Sequence, residues 1–289
     1  MKKFSKVFIN LLAVVMVILS CFSLTACKED IKKVVVNISV YNYAEEEGEV
    51  AGFENLSLEV DMYRHLAPNT VDTIMGYIKD GYYNDTVFYQ VDSSLPHQIM
   101  LGDYKLNANA PIANAIKPQI EGEFEHGGTT GSNLKVKKGA IGLWRTWTAF
   151  EDKYNQHNET LHSGRSNWFL PTNVSESTLN GYNGYFCVFA QIDLSNSANS
   201  NALTLIAEAL DKNTTKYVVY YTGEYDSTKV DENFGLTQHI IPEEDFVDSD
   251  DIFVATKEQR ECYNKHVIKL PTLAEGGSIT AKVTSIEVK

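Results

Sequence analysis

The chain is short of cysteine, proline and positive charge, and no apolar run in it is long enough to cross a membrane. Its 289 residues hold four cysteines, seven prolines and three tryptophans. No Cys-x-x-Cys pair or His/Cys spacing of ligand type occurs, so there is no motif for a metal centre. The seven histidines, His65, His97, His126, His157, His162, His239 and His266, are scattered and read as solvated or structural groups. Lysine and arginine number 25 against 38 Asp and Glu, a formal net charge of −13. Such an acidic surface argues against nucleic acid and anionic lipid head groups as partners. The apolar run from Val7 to Leu19 falls short of the roughly 20 residues that span a bilayer.

What the N-terminus does contain is Met1-Lys2-Lys3-Phe4-Ser5-Lys6, that short apolar run, and small residues leading to Cys27. A charged start, an apolar centre and a small-residue end are the marks of a secretory signal. Leu24-Thr25-Ala26-Cys27 resembles the lipobox of bacterial lipoproteins. The resemblance implies cleavage before Cys27, a diacylglycerol on its sulfur and residence on the extracytoplasmic face of the cell membrane. More than one acyl chain gives the firm anchoring that a single chain does not. An ordinary signal peptide or an uncleaved anchor is the alternative. On the lipoprotein reading, residues 1–26 are signal peptide, 27–33 a lipidated tether and 34–289 the domain. Cys187 and Cys262 then remain, and a single disulfide outside the cytoplasm is open to them. Cys187 lies in the strand-like run Tyr185-Phe186-Cys187-Val188-Phe189, which favours a buried thiol.

The body reads as short strands and few helices. Val34–Val40, Leu56–Val60 and Val87–Val91 carry β-branched and aromatic residues in near alternation. Ala67-Pro68-Asn69-Thr70 opens a helix whose apolar side is Val71, Ile74, Met75 and Ile78, and Asp80-Gly81 ends it. Residues 107–132 read as loop. Strands resume at 139–144 and 167–170, 202–210 is a short amphipathic helix, and the last strand is expected over 279–288. This pattern predicts a mainly β fold, a closed antiparallel β-barrel capped by two helices. Residues 211–264 fit it less well and read as an insertion. They hold the strand-like Tyr217-Val218-Val219-Tyr220-Tyr221 and an acidic stretch from Glu243 to Asp251. That stretch has oxygen ligands of the kind calcium takes but no fixed loop spacing, so a solvated acidic face is the plainer reading.

Five blocks, in order, resemble the cyclophilin-type peptidyl-prolyl cis-trans isomerases. They begin with Leu56–Val60, Ala67-Pro68-Asn69-Thr70-Val71 and Gly81-Tyr82-Tyr83-Asn84-Asp85-Thr86-Val87-Phe88. Phe88-Tyr89-Gln90-Val91 sits where that family has "FhRv", and Ile99-Met100-Leu101-Gly102-Asp103 where it has "iQgGD". Lys138–Arg145 resembles "rGtlaMAR", Ser163–Leu170 resembles "s.gSQFFI", and Leu179-Asn180-Gly181 with Val188–Ile192 resembles "LdGk..vFG.V".

The resemblance implies isomerisation of X–Pro bonds, whose resonance barrier is about 18–20 kcal/mol. A fixed cationic donor aimed at the proline nitrogen favours the twisted amide over either planar form. In this chain the donor position holds Gln90, neutral and without a bidentate fork, and the family's helping Gln is Met100. Loss of one charge-assisted donor costs about 3–4 kcal/mol, or some two to three orders of magnitude in rate. The substrate-contacting positions carried over are Phe88, Met100, Phe169, Asn167, Arg145, Trp144 and Leu179. Phe169 keeps the pocket aromatic, Trp144 replaces a small residue beside the groove, Thr178 replaces a common Trp, and Phe186 falls near a pocket His. Phe169 and Trp144 line the groove or are simply barrel core; Arg145 contacts the substrate backbone or is a solvated surface group. No cofactor is implied. Two functions follow: an isomerase acting on proline-containing segments of exported proteins, or a peptide-binding module that has lost catalysis. A solute-binding lipoprotein is a third, disfavoured by chain length.

Overall fold

In a computed structural model of the chain, the residues described are 30–43, 51–91, 98–107, 110–125, 133–145, 164–171, 179–212, 214–222, 237–247, 266–271 and 280–289. Cys27, Thr178, Cys262 and most of the signal and tether therefore lie outside them. The chain divides into two units, Met1–Asp30 and Ile31–Lys289, and the second carries all the regular structure given below.

A seven-stranded antiparallel sheet forms its body. The strands in spatial order are β13 (Ala281–Val288), β1 (Ile31–Asn42), β2 (Gly52–Tyr63), β9 (Val188–Ile192), β7 (Ala140–Leu143), β8 (Trp168–Pro171) and β4 (Gln98–Leu101). The pleat sends successive side chains to opposite faces. On β1 that puts Val34, Val36, Ile38 and Val40 inside, each at most 2 % exposed, and on β2 Leu58, Val60 and Met62. β1 begins at Ile31, so residues 31–33, read as tether, already pair with Asp61–Tyr63 of β2.

Two helices cover the inner face. α1 (Pro68–Lys79) buries Thr70, Val71, Ile74, Met75 and Ile78, and α2 (Ser197–Asp211) buries Ala202, Leu203, Ile206, Ala209 and Leu210. Both faces match the helical spacing of the sequence. Asn199 ties α2 down: its side chain donates to the Asp193 carbonyl and accepts the Glu59 amide of β2, both at 2.9 Å. Cys187 is a free, buried thiol 3.5 Å from the Thr70 hydroxyl, and burial pushes it up to about 12.

The sheet curls, yet it is an open half-barrel, where the sequence led us to expect a closed one. Among the described residues no ladder joins the edge strands β4 and β13. The segment Asp85–Tyr89 runs between them on isolated bridges: Phe88 donates to the Ala281 carbonyl on one side, while Tyr89 and Met100 exchange amide bonds of 3.1 and 2.8 Å on the other. The ladder stops because the next residues turn away. Gln90–Val91 forms β3, which pairs instead with β12 (His266–Pro271) in a second sheet of order β11-β10-β12-β3. Strands β10 (Thr214–Thr222) and β11 (Thr237–Pro242) complete that sheet. Tyr104–Asn107 (β5) pairs antiparallel with Ala110–Ala113 (β6), and β6 lies within residues 107–132, which the sequence reads as loop.

α1 starts without a local cap. Ala67 at its N-cap has no side chain to offer, and Pro68 supplies only the φ angle. Glu123, 5 % exposed, takes the role from the long loop: its two carboxylate oxygens accept the Asn69 and Thr70 amides at 3.0 and 2.7 Å. Its negative charge also suits the positive end of the helix dipole. Truncation to Ala strands these amides and is expected to cost about 1–3 kcal/mol. Chemical denaturation should accordingly rank wild type above Glu123→Gln and Glu123→Gln above Glu123→Ala; equal midpoints for all three would rule the cap out.

Candidate functional site

Strands β4, β7 and β8 are buried at every position, on both faces. The inner face takes Ile99, Leu101, Ile141, Leu143, Trp168 and Leu170 into the main core. The alternate residues Met100, Ala140 and Phe169, with Val87, Tyr89 and Val188, form a second cluster on the outer face. Phe88 was carried over as a substrate contact. It is instead an inner-core residue, 1 % exposed, because period-two alternation turns it away from its neighbours Val87 and Tyr89.

The outer cluster centres on three rings. Phe169 meets Phe186 edge-on with centroids 5.0 Å apart, and Trp144 stacks on Phe186 at 5.6 Å and touches Phe169 edge-on at 6.0 Å. Phe169 lies flat against β7 because its partner there is Gly142, where a Cβ would stand 2.2 Å from the ring. Met100 is the register partner of Phe169 on β4, and Leu179 closes the cluster at 2 % exposure. The structure therefore brings Met100, Trp144, Phe169, Leu179 and Phe186 together. Phe169 is 1 % and Phe186 2 % exposed, so the rings fill the space between them.

Gln90 is half-buried on β3, directly opposite Lys269 of β12. Arg145 is neither solvated nor open to the outer face. It is 4 % exposed, its Nε donates to the Tyr185 carbonyl at 2.7 Å, and its guanidinium lies 4.9 Å from the Phe124 ring and 5.4 Å from that of Phe186. Burial alone lowers it to about 10, so it remains charged at neutral pH. This cation is thus committed to internal packing.

Sequence reasoning missed a polar group under the cluster. The Tyr89 hydroxyl donates to Asp103, and Asn167 also hydrogen-bonds that carboxylate. The Asn167 carbonyl meanwhile accepts the Trp144 amide at 2.7 Å. Asn167 therefore links the aromatic and acidic parts. Burial of Asp103 outweighs these two bonds and pushes its carboxyl up to about 6. The only signal in the sequence was its place at the end of the "iQgGD"-like block.

The raised value sets a pH dependence. The folded carboxyl holds its proton to higher pH than the unfolded one, so its contribution is most favourable below about pH 4 and is lost as pH rises through about 6. Above that the ionised, partly buried group is destabilising relative to its protonated form. Asp103→Asn keeps an acceptor for Tyr89 and cannot ionise. The stability of Asp103→Asn relative to wild type should therefore climb between pH 4 and pH 7; a constant difference across that range would contradict it.

The model of the cyclophilin type peptidyl-prolyl cis-trans isomerase/CLD family matches residues 51–219. That stretch holds the outer cluster and the residues packed against it except Leu270 and Ile240. No curated protein matches the chain. Among solved structures, the chain is similar to a cyclophilin type peptidyl-prolyl cis-trans isomerase of Cryptosporidium parvum, at 14% identity and a TM-score of 0.33, over 58% of this chain and 84% of that one. The structure of the same protein in the presence of the dipeptide Ala-Pro gives 14% identity and a TM-score of 0.30, over 56% and 84%. On the match of more than half its length to the family model, this chain belongs to the cyclophilin-type peptidyl-prolyl cis-trans isomerase family.

Proposed function

We propose that this protein is a lipid-anchored, extracytoplasmic cyclophilin that binds proline-containing segments of exported proteins and isomerises them weakly. The observation that carries the reading is the pairing of a kept grip with a lost charge. Phe169, with Phe186, Trp144, Met100 and Leu179, forms an apolar cluster, closed in this structure, that suits a proline ring once opened, whereas the donor position is the neutral Gln90. An amide N–H from Gln90 still favours a pyramidal proline nitrogen, but without the charge that makes such a donor strong. Arg145 does not replace it, being held by Tyr185 and two rings. That commitment favours the second reading, a peptide-binding module without catalysis. Cys27 and the lipobox-like run before it support the anchor.

A protease-coupled assay on Ala-Pro peptide substrates, using the soluble fragment from residue 28, separates these readings. Wild type should run some two to three orders of magnitude below Gln90→Arg in kcat/KM, the difference that one charge-assisted donor makes. A silent wild type with an active Gln90→Arg would leave the binding module. Silence from both, with no peptide binding, would sink the reading altogether. The anchor has its own test. Cys27→Ser in the full chain should move the protein from the membrane to the soluble fraction, and continued membrane residence would count against lipidation.

A further inference from the structure

The second sheet meets the outer face in two ways. Its strand β12 adds to β3 by main-chain pairing, Lys269 opposite Gln90 and Ile268 opposite Val91. Its side chains Val219 on β10 and Leu270 on β12, both 0 % exposed, belong to the same apolar cluster as Met100, Phe169 and Phe186. Tyr217 and Ile240 pack against that cluster as well. Strand addition to an edge, with alternate side chains seated on an apolar surface, is how an extended peptide ligand is held. Here a segment of the chain itself takes the ligand's place, beside the residue at the family's donor position.

We propose that the sheet of β10, β11 and β12 is a built-in cover: it occupies the face on which a proline-containing peptide docks, and a peptide reaches Met100 and Phe169 only after β12 has left β3. The inference rests on the reading of that face as peptide-binding. The main-chain hold is short, since β3 is two residues long, so the seating of Leu270 and Val219 supplies much of the grip. A covered site binds with its intrinsic affinity reduced by the fraction of molecules that are open. Loosening the cover then increases peptide affinity without touching any residue that meets the peptide.

Methionine oxidation tests this in the full chain in detergent. Peroxide converts an accessible Met to its sulfoxide. Met100 lies under the cover at 3 % exposure, and Met62 lies in the main core at 0 %, so Met62 reports any general loosening. In Leu270→Ala and in Val219→Ala, Met100 should oxidise about tenfold faster than in wild type while Met62 keeps its rate. If Met100 does not change, or if Met62 rises with it in both variants, the cover is overturned. Adding the peptide Ala-Ala-Pro-Phe in excess to Leu270→Ala should then protect Met100 again. Failure of that protection removes the peptide-binding reading, and it is distinguishable because the ratio of Met100 to Met62 oxidation decides the cover by itself.

Discussion

Every residue of β4, β7 and β8 is buried, and most of the architecture follows from that one constraint. A strand with apolar side chains on both faces leaves two surfaces to be withdrawn from water. The curl of the sheet and the two helices serve the inner surface. The outer surface is closed by the Phe169–Phe186–Trp144 rings and by Val219 and Leu270 from the second sheet. Gly142 is part of the same solution, since any side chain there would displace the Phe169 ring and reopen the face. β3 is the hinge point in the chain where one surface hands over to the other, because the backbone leaves β4 at Tyr89 and joins β12 at Gln90.

Local features were readable in the sequence and long-range ones were not. The start of α1 at Pro68 and its buried side followed from one proline and a helical spacing, and β1 and β2 from alternation. The motif order correctly pointed to the family, and it put Met100, Phe169, Trp144 and Leu179 in one place. Phe88 was misassigned because a motif block names neighbours in the chain, whereas the pleat sends neighbours to opposite sides. The closed barrel failed for a related reason. Val87–Val91 does read as a strand, but nothing in those residues says that Gln90 and Val91 would pair with a strand beginning at His266. β12 itself is six residues, His-Val-Ile-Lys-Leu-Pro, with no turn signature to announce its partner.

Electrostatics separates this chain from the pattern it resembles. Two charged groups beside the outer face, Arg145 and Asp103, are both engaged by neighbouring residues. Arg145 is desolvated between rings, where its charge stabilises the packing of Phe124 and Phe186. Asp103 lies on the outer side with its oxygens taken up by Tyr89 and Asn167. Arg145 and Asp103 are thus engaged internally, so neither is offered to a bound peptide.

The pairing of β1 with β13 has a consequence for the order of events during synthesis. Val34 lies beside Val288, and the Lys289 amide donates to the Lys33 carbonyl. A chain that emerges N-terminus first therefore presents its opening strand long before the partner for one of its edges exists. Until β13 has been made β1 has only β2 to pair with, and its other edge stays open to any strand that passes. That edge is covered only once β13, far along the chain from β1, is available, and until then molecules of this protein are at risk of pairing with one another.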